Sequence, residues 1–309
     1  PLSGAATATA ANRSGGGNPT DRVPVPATMG TVMAPLVTLL TDFGASDPSV
    51  AACKGVILRI CPEARLLDIS HGVIRHSVSH GAAILWAALT FVPAGIHMAV
   101  VDPGVGTVRR GIAIRTGRGD HLVGPDNGLL VPAAERLGGI LSAHALENAA
   151  YQLAPVSSTF HGRDVFAPAA AHLARGVPLD AFGPPIDPAT LVRLEEAGPA
   201  CLPGVLEATV AFVDTWGNAQ LVAEPADLEA SIGPFGEGEP LVVDAADGTE
   251  LGEAGGVRLE WRTTYAEAGP GRPLLYLDSY GRLALAVNLE SAAQRYGLVA
   301  GRRLRVRRP

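Results

Sequence analysis

Cysteine is scarce in this chain. Cys53, Cys61 and Cys201 form no CxxC pair, so no disulfide framework is legible, and a reducing, cytoplasmic setting is expected. Aromatic residues make up only 5% and charged residues 17%. The formal net charge of -6 supplies no basic field, which argues against nucleic acid or an anionic membrane as partner. No apolar stretch is long enough to cross a bilayer. Residues 1–34 lack the apolar segment of a signal peptide and are rich in Ala, Gly, Ser, Thr and Pro. They read as a flexible leader, with Met29 and Met33 as candidate starts. The local exception to the charge balance, the run from Arg302 to Arg308, reads as a last strand with solvated arginines.

What is plentiful is aliphatic residues and turn formers. Hydrophobic residues reach 47%, with 37 Gly and 25 Pro in 309 residues. That is enough for a packed core in two domains. Leu36 to Thr41 is a short apolar run ending at Asp42. Val50, Cys53, Ile57 and Ile60 then recur at helical spacing. Leu66 to Ile69, a helix over Val78 to Phe91, and Met98 to Val101 before Asp102 continue the alternation. Strand, helix, strand, helix, strand predicts parallel βαβ units, with ligands gathered at the carboxyl ends of the strands. Further strands are expected at Gly111 to Arg115 and His121 to Val123, and helices from near Asn127 and near Asp164. Gly183 to Pro188 is a stiff, turn-rich boundary. Beyond it, Val205 to Val213, Leu241 to Val243, Leu274 to Leu277, Leu283 to Val287 and Leu304 to Val306 are short β-like runs. The expected organisation is an α/β domain with a mostly parallel sheet over 35–188, a linker over 189–203 and an all-β barrel over 204–309.

Five segments stand out. In Val101-Asp102-Pro103-Gly104-Val105-Gly106-Thr107-Val108-Arg109-Arg110 a carboxylate ends a strand, a Gly-rich turn follows, and two arginines close it. Alone it reads equally as an Asx-type turn or an anion nest, and it lacks the GxxxxGK[ST] pattern of a P-loop. Ser157 to Asp164 puts His161 at a loop–helix junction. Thr41 to Ser49 carries Asp42, with Asp47 and Ser49 as candidate helix caps. Phe212 to Asn218 and Asp278 to Gly281 read as turns. His71, His76 and His80 invite a metal reading, with His76 and His80 able to share a helix face, but no HExxH pattern or cysteine pair accompanies them. No metal and no cofactor are expected. Pro125-Asp126-Asn127-Gly128 reads as a turn and helix cap at the floor of a pocket.

Taken together and in order, these motifs resemble the S-adenosylmethionine (SAM) hydroxide adenosyltransferases, relatives of the fluorinases and chlorinases. The match runs from Val37 to Val306 through TDFG, DPGVGTVRR, PDNG, STFHGRD, DTWGN and SYGRLALAVN. The resemblance implies an N-terminal α/β domain, a C-terminal β-barrel, and a homotrimer whose active sites lie between the N-terminal domain of one subunit and the C-terminal domain of the next. It implies hydrolysis of SAM to adenosine and L-methionine, with Asp102, Arg109 and His161 activating the water. It assigns the ribose to Asp42, and the methionine head to Asp47, Ser49, Asp214 and Ser279. Adenine falls to Asn218, with Trp216 stacking and the backbone near Leu289. Halogenase relatives carry Arg where this chain has Tyr280, so the resemblance leaves the methionine carboxylate without an assigned partner. A halogenase and a non-catalytic adenosine- or SAM-binding protein stay open as alternatives, as does, more weakly, a metal-dependent hydrolase. A carboxylate at Asp102 would repel a halide, which favours the hydrolase branch.

Overall fold

The apolar runs are strands and helices in a computed structural model, which describes residues 34–194, 198–252 and 255–309. The expected leader lies outside the described residues except for Ala34. Seven strands form the first sheet: β1 (Leu36–Thr41), β2 (Arg65–Ser70), β3 (Ile96–Val100), β4 (Gly111–Thr116), β5 (His121–Pro125), β6 (Ile140–Ala145) and β7 (Pro185–Ile186). Their order is β2-β1-β3-β5-β4-β6-β7. β2, β1, β3 and β5 run parallel, as the alternating pattern requires. β4 is antiparallel to both β5 and β6, and β7 is antiparallel to β6. The few residues between Thr116 and His121 cannot make a crossover, so β4 and β5 must pair as a hairpin.

Helices α1 (Ser49–Ile60), α2 (Val78–Leu89), α3 (Val131–Arg136) and α4 (Ala167–Ala174) cover the sheet. Successive strand residues point to opposite faces. Leu39 and Met98 pack with Cys53 and Ile57 of α1 and Ala170 of α4. Leu40 and Ala99 pack with Leu85 of α2 and Ala134 of α3. Fully burying a side chain such as Leu39 or Leu40 stabilises by ~1.5–3 kcal/mol, so the register is strongly fixed. Two helix starts differ from expectation. α3 begins at Val131 rather than near Asn127, because the Asn127 side chain accepts the Leu129 N–H and donates to the Val101 carbonyl. The helix expected near Asp164 opens with one π-helical turn, Gly162–Phe166, that leads into α4.

The second sheet contains β8 (Ala200–Leu202), β9 (Val205–Val213), β10 (Ala219–Leu221), β11 (Pro240–Ala245), β12 (Val257–Trp261), β13 (Pro273–Leu277), β14 (Leu283–Val287) and β15 (Arg303–Arg307). The order is β10-β14-β13-β12-β11-β15-β9, and β9 pairs back to β10 to close a barrel. β8 adds to the first half of β9. Leu206, Ala208 and Val210 alternate inward and meet Leu241, Val243, Leu285 and Leu304 in the barrel core. Helices α5 (Pro225–Ile232) and α6 (Ala292–Tyr296) flank it. The C-terminal arginines are paired: Arg303 and Arg305 with Glu207, Arg307 with Asp244, Arg308 with Glu239.

The barrel packs on the α/β part around Trp86. The guanidinium of Arg136 lies 3.5 Å from one ring centroid position and that of Arg282 lies 3.7 Å from it. Arg136 also donates to the Tyr280 carbonyl at 3.1 Å, and the Tyr280 ring meets Phe91 edge-on. No helix among the described residues is long and apolar enough to cross a membrane.

Candidate active site

The carboxyl ends of β1 and β3 and the loop before the π-turn converge on a cavity of about 380 Å³. Asp42, Asp47, Ser49, Asp102 and His161 line it, together with Phe43, Phe160, Arg75 and His76. The Gly-rich segment after β3 shapes one wall. The Asp102 carbonyl accepts the Val105 N–H, and the Gly104 carbonyl accepts from both the backbone N–H and the hydroxyl of Thr107. Gly106 has φ +77, and a Cβ there would lie 2.4 Å from the Ser158 carbonyl oxygen. Only glycine allows this turn to touch the loop that carries His161.

The turn folds Arg109 back onto Asp102. Nε donates to both carboxylate oxygens at 3.0 Å, and Nη2 donates to Oδ2. The side chains are only 11% and 5% exposed, so this is a nearly dry ion pair. The guanidinium also lies 5.1 Å from the Phe166 ring centroid. Arg109 Nη2 stands 2.9 Å from His161 Nδ1. A guanidinium can only donate, so Nδ1 accepts and the neutral imidazole carries its proton on Nε2. Burial, then the neighbouring Arg109 charge, holds the His161 pKa below its ordinary 6.5. Asp102, Arg109 and His161 therefore form one hydrogen-bonded unit, with Arg109 at its centre. Asp164 braces the loop from below, accepting the Ser157 N–H at 2.9 Å and pairing with Arg163.

On the opposite wall, Asp42 Oδ2 accepts the His76 N–H at 2.9 Å. Asp47 Oδ1 accepts the Ser49 N–H at 2.8 Å, and the N-cap of α1 is Pro48, not Asp47 or Ser49. Phe43 and Phe160 meet edge-to-face, with centroids 5.9 Å apart.

The barrel forms a separate cleft of about 580 Å³. Trp216, Asn218 and Leu289 line it with Tyr265, Asn288 and Ser291. The β9–β10 turn is held by Asp214, whose carboxylate accepts from the N–H groups of Trp216 and Asn218 and from the Asn218 side chain. Gly217, at φ +87, closes that turn against Ser291, where a Cβ would lie 2.0 Å from the hydroxyl oxygen. Trp216 is 77% exposed and Leu289 85%, and Leu289 has φ 65.

Models of the SAM hydroxide adenosyltransferase N-terminal domain and C-terminal domain match residues 37–183 and 208–305. A relative from Salinispora tropica named (R)-S-adenosyl-L-methionine hydrolase is 44% identical, over 88% of this chain and 97% of its own length. The chain belongs to the SAM hydroxide adenosyltransferase family. A relative from Actinoplanes sp. named fluorinase is 30% identical, over 86% of this chain and 95% of its own. Among solved structures, an uncharacterized conserved protein from Thermotoga maritima superposes with a TM-score of 0.79 at 32% identity, covering 88% of this chain and 100% of that one.

In this member of the SAM hydroxide adenosyltransferases, the residues singled out by sequence separate into three places. Asp42, Asp47, Ser49, Asp102 and His161 share one cavity, with Arg109 directly behind. Trp216, Asn218 and Leu289 share the barrel cleft. Asp214 and Tyr280 line a third cleft with His80 and Phe212, and Ser279 is exposed in the turn beside Tyr280. Asp126 is a structural residue: it pairs with Arg110 and accepts the Val192 N–H. The helix face that His76 and His80 were expected to share is not formed. His76 precedes α2 with φ 64, so it shares no helix face with His80. His71 is tied to Thr41 and Asp68, and His80 Nδ1 accepts the Ile74 N–H. No group of three or more metal-ligating side chains occurs among the described residues. Arg75, His76 and Phe160 were missed as lining residues. Arg75 and His76 stand in the segment after β2, where the carboxyl-end rule would have pointed.

Proposed function

We propose that this protein hydrolyses SAM to adenosine and L-methionine by in-line attack of water on the ribose 5′ carbon. The observation that carries this is the Asp102–Arg109–His161 unit at a cavity whose other charged lining includes Asp42 and Asp47. Carboxylates suit a cationic sulfonium substrate and oppose an anionic nucleophile such as halide. A sulfonium leaves as a neutral thioether and needs no general acid, metal or cofactor. The remaining task is to hold one water opposite the C–S bond and take its proton.

In this proposal Asp102 is the proton acceptor. The Nδ1 lone pair of His161 is engaged by Arg109, so His161 offers only an Nε2–H donor to orient the water. Arg109 holds both partners in place and stabilises hydroxide character as it develops. Asp42 takes the ribose hydroxyls, since a carboxylate accepts from two neighbouring OH groups. Asp47, Ser49, Asp214 and Ser279 take the methionine head, and Asn218, Trp216 and the Leu289 backbone take adenine. The cavity and the barrel cleft have no lining residue in common. We therefore propose that the complete site forms between subunits of a homotrimer, with the barrel cleft of one subunit covering the cavity of the next. The exposure of Trp216 and Leu289 fits a surface awaiting such a partner. A cytoplasmic setting fits the free thiols of Cys53, Cys61 and Cys201.

The experiment is turnover of SAM in halide-free buffer made with oxygen-18 water, read by mass spectrometry. Adenosine carrying the heavy oxygen, with unlabelled methionine, is the expected result. Intact SAM, or 5′-halo-5′-deoxyadenosine on adding chloride, would refute hydrolysis.

A further inference from the structure

SAM carries an α-amino acid zwitterion as well as a sulfonium, and its carboxylate needs a cation or several donors once it leaves water. Tyr280 is poorly suited. Its carbonyl accepts from Arg136 and its ring packs on Phe91, at the joint between barrel and α/β domain. Arg109 is committed to Asp102. Arg75 is different. It is the one Lys or Arg among the described residues lining the cavity, which Asp42 and Asp47 also line. Its side chain forms no hydrogen bond or ion pair with other described residues.

Two further observations bear on its placement. Asp47 is held below the usual carboxylate range first by hydrogen bonds from Ser49 and then by the charge of Arg75, so the two opposite charges are near each other. The residue after Arg75, His76, sits at φ 64 and gives its N–H to Asp42 Oδ2 at 2.9 Å. A left-handed conformation at a residue with a side chain is uncommon and is held here by a cavity carboxylate. That bond ties the backbone beside Arg75 to the ribose end of the site. One carboxylate and one guanidinium without a hydrogen-bond or ion-pair partner among the described residues, lining the same cavity, complement an ammonium and a carboxylate joined through a single carbon.

We propose that Arg75 binds the α-carboxylate of the substrate while Asp47 takes its ammonium group. Arg75 is then the residue that selects the amino-acid-bearing sulfonium nucleoside over the same nucleoside without its carboxylate. The assignment rests on the hydrolase reading for the identity of the substrate.

The test compares SAM with decarboxylated SAM on the wild-type protein, R75M and R75K. A hydrogen-bonded charge pair is worth a factor of ~10–100 in affinity. R75M is expected to raise KM for SAM by that factor, with kcat changed less than ~3-fold, because the contact is made equally in ground and transition states. KM for decarboxylated SAM is expected to stay put, and R75K to recover part of the loss for SAM. Equal losses on both substrates, or no loss on either, would overturn the assignment. Failure of the hydrolase reading looks different: wild-type protein would release no adenosine from either compound. Calorimetric affinities of the two compounds for wild type and R75M then make the same comparison without turnover. An affinity ratio unchanged by R75M overturns the role of Arg75, and a ratio that collapses supports it.

Discussion

Replacing Asp102 by Asn is the sharpest test of the proposed water-activating unit, because it changes charge while keeping shape. In the parent, Arg109 donates to both Asp102 oxygens from a site where the two side chains are 11% and 5% exposed. Asn keeps one acceptor but presents an NH₂ to the other guanidinium N–H, donor facing donor. Breaking one partner of a nearly buried pair costs at most about 3–5 kcal/mol of stability. The loss is moderated here by the contacts Arg109 keeps to His161 and to the Phe166 ring. The chemical loss is separate. An amide cannot take the water's proton, and loss of a general base lowers rate by ~10²–10⁴-fold. A 100-fold loss is about 2.7 kcal/mol in the chemical step. The assay is adenosine release by chromatography at saturating SAM, with a thermal melt to fix the folded fraction. kcat should fall at least ~100-fold, KM should change little, and the melt should stay cooperative at a lower midpoint. If the Asn variant retained about a tenth or more of parental turnover while H161A lost ~100-fold, the proton would go to His161 and the assignment to Asp102 would be wrong.

Gly106→Ala should lower kcat by ~10–100-fold, since a small misplacement in a site can cost about 10²-fold. The new Cβ must push away the Ser158 carbonyl, 2.4 Å distant, and with it the loop of His161; parental kinetics would refute that coupling. Burial and Arg109 depress the His161 pKa, so the folded enzyme stays neutral at this site somewhat below pH 6.5. Turnover should therefore be flat above 6.5 and fall only below the depressed value, as protonated Nδ1 loses its bond from Arg109; an acid limb above 6.5 would contradict this. Between the folded and unfolded pKa values the unfolded chain binds more protons, so His161 makes stability rise with pH in that window and adds nothing above it. Asp120→Asn should destabilise the fold by ~3–5 kcal/mol without altering kcat of the folded fraction. Burial pushes the Asp120 carboxyl up, but hydrogen bonds from His97 and Arg118 outweigh it and hold it well below the usual range. Its stabilising effect should thus be full above the unfolded value and be lost as pH falls through the folded one, measurable by denaturant melts across pH.

The strands that carry the cavity were legible because they are apolar on both faces. Leu39 faces α1 and Leu40 faces α2, and such runs between helical spacings admit few other readings. The barrel was harder. β10 is three residues long, and β12 reads Val-Arg-Leu-Glu-Trp, where Arg258 and Glu260 dilute the signal although Val257 and Leu259 are buried. α5 and α6 are short, and their signals are caps: Glu224 with Asp227 and Ser291 with Gln294. At the site, the DPGVGTVRR spacing brought Arg109 back to Asp102, and the turn chemistry of Gly104 and Thr107 explains how. The resemblance singled out Arg109 over Arg110, but the spacing alone did not show why the two diverge. Arg109 reaches His161 while Arg110 turns away to Asp126, and only the turn geometry decides which goes where. Arg75 was hidden because it follows β2 without a motif around it, and His76 was noticed only as a candidate metal ligand.

The charge of the cavity bears on why a carboxylate at position 102 suits water rather than halide. Its lining carries Asp42, Asp47 and Asp102 against Arg75, with Arg109 neutralising Asp102 from behind. If Asp42 serves ribose while Asp47 and Arg75 serve the two ends of the zwitterion, all three are occupied by substrate groups of matching polarity. What remains to face the sulfonium is the Asp102–Arg109 pair, whose negative end lines the cavity and whose positive end lies behind it. An anion entering there would meet that negative end at close range in a site partly shielded from water, where repulsion is strong. A neutral water meets an acceptor in Asp102 and a donor in His161 Nε2–H, and gains negative charge only as it attacks. In the proposed mechanism, the same carboxylate that would repel a halide is thus the group that would receive the proton which makes water a competent nucleophile.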